Sequence, residues 1–237
     1  MELKQRIDEV KARIAKAAVA AGRNPEDITL CAATKVQTDQ TIADAIAAGI
    51  TVCGENRVQE LTGHLQADAY AGAKEVHFIG HLQTNKVKQV VGLVDLIQSV
   101  DSERLLRAID AQAEKVGCVQ DILLEVNIGR EESKGGCMPE ELESLCRLAC
   151  ELEHVSLRGL MAIPPISEVP GANVPYFAEM HQLFVDMKEK MSDNQNRIVC
   201  LSMGMSGDFE DAIAQGATLV RVGTSLFGPR PPMHKTV

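Results

Sequence analysis

Aromatic side chains are scarce: five Phe, two Tyr and no Trp make up 3% of 237 residues. Single-stranded nucleic acid is held on aromatic platforms beside a cationic groove, and this chain has little of either. Its 33 Asp and Glu outnumber 24 Lys and Arg, giving a net charge of −9, the wrong sign for a phosphate backbone. We expect no nucleic-acid partner. A short basic cluster such as "NKVKQ", Asn85 to Gln89, is then a local anion contact or a solvated helix face. Uninterrupted apolar runs are also missing, and none approaches the ~20 residues of a membrane span. We expect no membrane association. The seven cysteines form no CxxC pair, and several sit in apolar segments as small hydrophobes. Reduced thiols and a cytoplasmic location follow. Cys146 and Cys150 share a helical face, but no second ligand pair accompanies them, so no metal site is expected.

What the chain does have is apolar content, 45%, enough for a sizeable core. At the N-terminus Leu3, Ile7, Val10, Ile14, Ala17 and Ala18 recur at helical spacing among charges. This predicts an amphipathic helix ended by Gly22, with Pro25 just beyond, and not a signal peptide. Strand-like and helix-like segments then alternate to the end. Strands are predicted at "ITLCAATK", "TVCGE", "VHFIG", "LIQSV", "DILLEVN", "LRGLMAI", "RIVCLSM" and "TLVRVG". Helices are predicted from Thr38 to Ala48, closed by Gly49, and from Ser102 to Val116, opened by Asp101 and closed by Gly117. Others start at Pro139 and at Ser206, the last closed by Gly216. "IPPISEVPGANVP", Ile163 to Pro175, is a long loop.

Continuous apolar strands separated by helices imply a parallel sheet covered on both faces. Eight of them suggest an α/β fold of the closed TIM type, a (β/α)8 barrel with an extra N-terminal helix. A doubly wound sheet would want a glycine-rich dinucleotide turn after its first strand, and there is none. We expect one domain over residues 1–237.

Chemistry in such barrels sits at the strand C-termini. Those ends carry Lys35, Glu55 and Asn56, Gly80 and His81, Asp101, Asn127, Met161, Ser202, and Arg221 to Thr224. "RVGTSLFG" ends the last strand with a glycine and two hydroxyl residues, and "LSMGMSGDFEDAI" supplies a second glycine-containing turn with Ser206. Both are anion-friendly. A phosphate site together with a lysine that ends strand one suggests an aldehyde cofactor, pyridoxal 5'-phosphate, on a Schiff-base lysine. A phosphosugar aldolase and a plain anion-binding lysine remain open on the same residues.

The motifs "ATKVQ", "CGENRVQEL", "HFIGHLQTNKVKQV", "RGLMAIP", "LSMGMSGDFEDAI" and "VRVGTSLFG" occur in one order from Lys35 to Gly228. Together they resemble the pyridoxal phosphate homeostasis protein family, whose barrel is similar to the N-terminal domain of alanine racemase. Val76 departs from the family pattern, which has an aromatic residue there, and this bears on strand packing. The resemblance implies pyridoxal 5'-phosphate as an internal aldimine on Lys35. It also implies phosphate contacts at Ser206, Gly223 and Thr224, Arg221 near the pyridine ring, and Asn56 lining the pocket. Lys134 matches a family lysine on a mobile loop and is not counted as a ligand. His77 and His81 are expected in structural polar contacts, Glu55 as a loop brace rather than a general base, and Met203 and Met205 as filler.

A racemase of this kind needs a second acid/base, a tyrosine from a further domain. Only Tyr70 and Tyr176 are present, and neither falls in such a domain. An arginine at the ring nitrogen would also weaken the ring as an electron sink. No catalytic residues are therefore assigned. The expected function is intracellular vitamin B6 homeostasis by a monomeric carrier, with cofactor-free pyridoxal phosphate enzymes as candidate partners. The alternative is an amino-acid racemase or lyase.

Overall fold

The computed structural model describes residues 2–191 and 197–229; Met1, 192–196 and 230–237 of the expected domain range lie outside the described residues. Eight parallel strands close on themselves in chain order. They are β1 (Thr29–Ala33), β2 (Val52–Glu55), β3 (Glu75–Phe78), β4 (Leu96–Val100), β5 (Gln120–Val126), β6 (Val155–Ala162), β7 (Cys200–Ser202) and β8 (Leu219–Val222). Every strand predicted from an apolar run is present. The barrel closes where Cys31 pairs with Arg221 and Ala32 with Val222.

Around the sheet run α1 (Leu3–Ala20), α2 (Asp39–Ala47), α3 (Val58–Gln66), α4 (Glu103–Val116), α5 (Leu142–Glu151), α6 (Val174–Lys190), α7 (Phe209–Ala214) and α8 (Thr224–Phe227). The connection from β3 to β4 carries only a 3-10 segment, Thr84–Gln89. The main core lies between sheet and helices. Two small clusters fill the barrel itself, one from Cys31, Ala33, Val52, Ile79 and Leu219, the other from Leu96, Leu123 and Met161.

The extra helix α1 buries Ile7, Val10, Ile14 and Ala18, the predicted stripe. It packs on α7 and α8. Arg6 Nε donates to the Leu226 carbonyl at 2.5 Å, Arg13 Nε meets Glu210 Oε1 at 2.7 Å, and Arg23 Nη1 donates to the carbonyls of Ile213 and Ala217 at 3.0 and 2.7 Å. Three arginines of one N-terminal segment thus tie it to α7, to the loop between α7 and β8, and to α8.

Some helix starts differ from expectation. Ser102, not Asp101, caps α4: its hydroxyl accepts the Leu105 N–H at 3.4 Å. Pro139 opens a 3-10 turn, Pro139–Glu141, and α5 follows it. Ser206 lies three residues ahead of α7, whose preceding residue is Asp208. There Asp208 takes over the local bracing, its Oδ1 accepting the Met205 N–H at 2.7 Å. Gly117 closes α4 at φ 70°, as predicted, and Thr38, expected as the first residue of α2, stands one place ahead of it as its N-cap.

Ser102→Ala should lower unfolding stability by about 1 kcal/mol, the usual worth of an N-cap hydroxyl, and Asp101→Ala should not lose that cap term. Urea titration of both variants measures this. Equal losses would return the cap to Asp101.

Candidate functional site

At the C-terminal mouth of the barrel, a cavity of about 270 Å³ collects all six residues singled out in the sequence: Lys35, Asn56, Ser206, Arg221, Gly223 and Thr224. Ile79, Ile163, Met205 and Phe227 supply its apolar walls. A larger cavity of about 690 Å³ lies at the opposite end, among the first residues of the strands, such as Thr29, Glu75, Leu96 and Gln120. It contains none of the six.

Lys35 stands two residues past the end of β1. The next residue, Val36, is at φ 59°, a left-handed conformation that β-branched side chains rarely take. Glu60 holds it there, Oε2 accepting the Val36 N–H at 3.0 Å. Such strain costs on the order of 1–3 kcal/mol and persists only where surroundings enforce it. It sharply turns the chain directly after the lysine. Nothing in the sequence signals it.

Asn56 follows β2 with its Oδ1 buried and without a hydrogen-bond partner. An unsatisfied buried amide oxygen on a residue that lines a cavity is what a ligand donor would complete. Its backbone is fixed from two sides. Glu55 Oε2 accepts the Asn56 N–H at 3.1 Å, and at Gly80 a Cβ would fall 2.0 Å from the Asn56 carbonyl. Only glycine lets these two strand ends approach. Glu55 itself is buried, with Oε1 accepting from Thr34 Oγ1 at 2.6 Å, and burial raises its pKa.

The anion turns meet. Ser206 Oγ accepts the N–H groups of Gly223 and Ser225 at 3.3 and 3.2 Å. Ser206, Gly223 and Thr224 all line the cavity here, and together they make a polar cradle of the glycine-and-hydroxyl kind that takes oxyanions. Ser225 was not singled out, although it is the second hydroxyl of "VGTSLFG". The cradle and the orphaned Asn56 oxygen both fit a phosphorylated, ring-bearing cofactor.

Arg221 is 4% exposed. It donates to Ser202 Oγ and, at 2.8 Å, to the Ala162 carbonyl. Burial lowers its pKa, but a guanidinium remains charged. Lys35 and Arg221 are the only ionisable side chains lining the cavity among the described residues. Tyr70 and Tyr176 do not line it; Tyr70 is buried under α3, its ring edge-on to His64. Met205 lines the cavity, whereas Met203 is core. His77 is buried inside the barrel and His81 is exposed near Asp101. Lys134 pairs with Glu131 at 3.4 Å and does not line the cavity. Among the described residues no three His, Cys, Asp or Glu side chains are grouped to hold a metal ion.

One titratable group inside the barrel was missed. Glu125, within the apolar run of β5, is buried opposite β1 in the strand order. Burial pushes its carboxyl up to about 7, against the pull of Arg221 and with a further push from Asp101.

Residues 6–231 match the family model described as alanine racemase, N-terminal domain. A pyridoxal phosphate homeostasis protein of Aquifex aeolicus (strain VF5) is 44% identical over 226 residues, covering 95% of this chain and 97% of that protein. PipY of Synechococcus elongatus PCC7942, solved with PLP bound, superposes with a TM-score of 0.82 at 31% identity, covering 96% of this chain and all of PipY. Alanine racemase of Clostridium difficile 630 shares the fold, with a TM-score of 0.71 at 15% identity, and this chain covers 57% of it.

Glu125 makes stability depend on pH. Its folded pKa lies above the unfolded value, so from about pH 4.5 the unfolded chain releases the proton while the folded chain keeps it. Stability is therefore lost as pH rises to about 7, by an amount on the order of 3 kcal/mol. Glu125→Gln should remove this loss. Denaturant titrations at acid and at mildly alkaline pH measure it; a variant that tracks the parent at both would place the proton elsewhere.

Proposed function

The chain belongs to the pyridoxal phosphate homeostasis protein family, and on that premise we propose that its C-terminal cavity holds pyridoxal 5'-phosphate for storage and supply, with little or no turnover. The observation that carries this reading is the make-up of the cavity: one lysine, one buried arginine, an oxyanion cradle, and no other ionisable side chain among the described residues. When bound, the cofactor supplies an aldehyde that a lysine amine can hold covalently and release to another amine.

The chain's own residues divide the binding. Lys35 is the covalent anchor. The hydroxyls of Ser206 and Thr224 and the backbone of Gly223 take the phosphate. Asn56 presents its unpartnered Oδ1 to the cofactor's polar edge, and Arg221 faces the ring nitrogen as a fixed donor that discourages protonation there. Moving a substrate's α-proton needs a second acid or base near the reacting carbon. The cavity wall offers none, which favours holding over racemisation. The protein acts in the cytoplasm as a monomer on intracellular vitamin B6, with cofactor-free pyridoxal phosphate enzymes as recipients. Among the described residues no helix is long and apolar enough to cross a membrane.

Borohydride reduction of the loaded protein should fix the cofactor on Lys35, mapped by peptide mass; an adduct on another lysine with Lys35 intact rejects the anchor. Ser206→Ala and Thr224→Ala should each weaken retention by about 1.5–3 kcal/mol, one hydrogen bond to a charged group, and leave the barrel folded. Equilibrium dialysis reads this, and parent affinity in the double variant would move the phosphate. Incubation with L- and D-amino acids in deuterated water should leave the α-proton in place. Exchange at about 1 per second or faster, an enzyme-like rate, would make the protein a racemase or lyase.

A further inference from the structure

Barrel interiors of this type are filled mainly by branched aliphatic side chains. Here a run of polar side chains through the interior departs from that rule. His77 of β3, Gln98 of β4, Ser202 of β7 and Arg221 of β8 all point inward, are all buried, and touch one another in series. The series ends at Glu75, the first residue of β3, which lines the cavity at the N-terminal mouth.

The direction of every bond follows from its ends. A guanidinium can only donate, so Arg221 donates to Ser202 Oγ. The Ser202 hydroxyl proton is then free to donate to Gln98 Oε1 at 2.7 Å. That turns the Gln98 amide nitrogen toward His77 Nδ1, 2.9 Å away, which must accept. His77 therefore carries its proton on Nε2 and donates it to Glu75 Oε2 at 2.9 Å. The chain has one polarity, from a buried cation at one mouth of the barrel to a half-exposed carboxylate at the other.

Arg221 does not need this much. Ser202 and the Ala162 carbonyl already accept from it, and a serine proton could be satisfied by any nearby carbonyl. Burying a glutamine and a histidine beyond Ser202 costs packing unless every bond is made. Aligned bonds polarise one another and hold each member in one rotamer. Glu125 and Asp208 act on Arg221 through space, but neither hydrogen-bonds it. We propose that Gln98, His77 and Glu75 are positioning residues for Arg221, fixing through Ser202 the plane in which the guanidinium meets the cofactor ring. The role rests on the cofactor reading above; the chain itself does not.

Two measurements separate them. In the cofactor-free protein, nitrogen NMR of the histidine rings should find His77 neutral with its proton on Nε2; a proton on Nδ1 overturns the chain whatever the cavity binds. In protein loaded with pyridoxal 5'-phosphate, Gln98→Leu should speed cofactor release by about two- to tenfold, one net hydrogen bond's worth. It should also change the ratio of the cofactor's visible and near-ultraviolet bands. Glu75→Gln keeps the side-chain shape at a half-exposed position, so it folds even if Gln98→Leu does not. It should move release and spectrum the same way by less. The double variant should match Gln98→Leu alone, since a chain already cut cannot transmit the second change. Gln98→Leu with a lower Tm but the parent's spectrum and release rate would make the chain mere packing. Additive effects would make Glu75 act through space, and either result overturns the proposal. A parent that takes up no cofactor overturns the cofactor reading and this role with it, leaving the ring measurement to judge the chain.

Discussion

A guanidinium buried inside a closed barrel constrains everything near it. Arg221 cannot lose its proton, and an unpaired charge in a dry interior is far more costly than a cavity or a missed van der Waals contact. Its acceptors must come from other strands, because its own strand's carbonyls are used in the sheet. They do: Ser202 from β7 and the Ala162 carbonyl from the end of β6. This in turn fixes which side of β7 faces inward and interrupts the aliphatic filling at that level. The cavity floor is therefore cationic by construction, and the layers below it, Cys31, Val52 and Leu219 on one side, Leu96 and Leu123 on the other, are split into two separate clusters.

The rim depends on a different constraint. Glycine-rich turns are flexible by composition, and a binding cradle of the kind proposed here would be useful only if they are held. The N-terminal helix does this. Its apolar stripe packs on α7 and α8, the helices that follow those turns, while Arg6, Arg13 and, just past the helix, Arg23 bond to α7, α8 and the loop before β8. Arg13 also stacks over Phe209 at 4.5 Å. Bonds spanning some two hundred residues of sequence, such as Arg6 to Leu226, tie the first helix to the last one. An element that looks like an addition to the barrel is part of the site's rigidity.

The strands were legible because burial on both faces leaves a continuous apolar run, and period then matters less than its boundaries. The six cavity residues were legible because strand ends converge in a closed barrel whatever the detailed register. Contacts between distant segments were not. Ser206 reads as a helix cap, since a serine before an acidic stretch usually is one. In the fold its hydroxyl instead serves the N–H groups of Gly223 and Ser225, a pairing that needs β7 and β8 side by side. Glu125 was hidden inside a good strand signal, and its environment depends on what β5 faces across the barrel. Val36 was hidden for the opposite reason: valine is the wrong residue for φ 59°, and only Glu60, twenty-four residues on, makes it tenable.

That strained valine bears on how the lysine works. A lysine side chain has several rotatable bonds and loses up to about 2 kcal/mol of freedom when fixed. Relaxed backbone on both sides would let Lys35 swing over the mouth. Here β1 holds one side, and a turn enforced by Glu60 holds the other, so the backbone carries part of the ordering before any ligand arrives. Preorganisation of this kind strengthens binding without adding a reactive group. The same holds for the cradle, already closed on Ser206, and for Arg221, locked from within the barrel. On the proposed function each device would orient the cofactor, and none of them is placed to move a proton at a substrate carbon. A cavity with strong orientation and a single amine suits exchange of one amine for another, which needs only access, and suits poorly the chemistry that needs a second base.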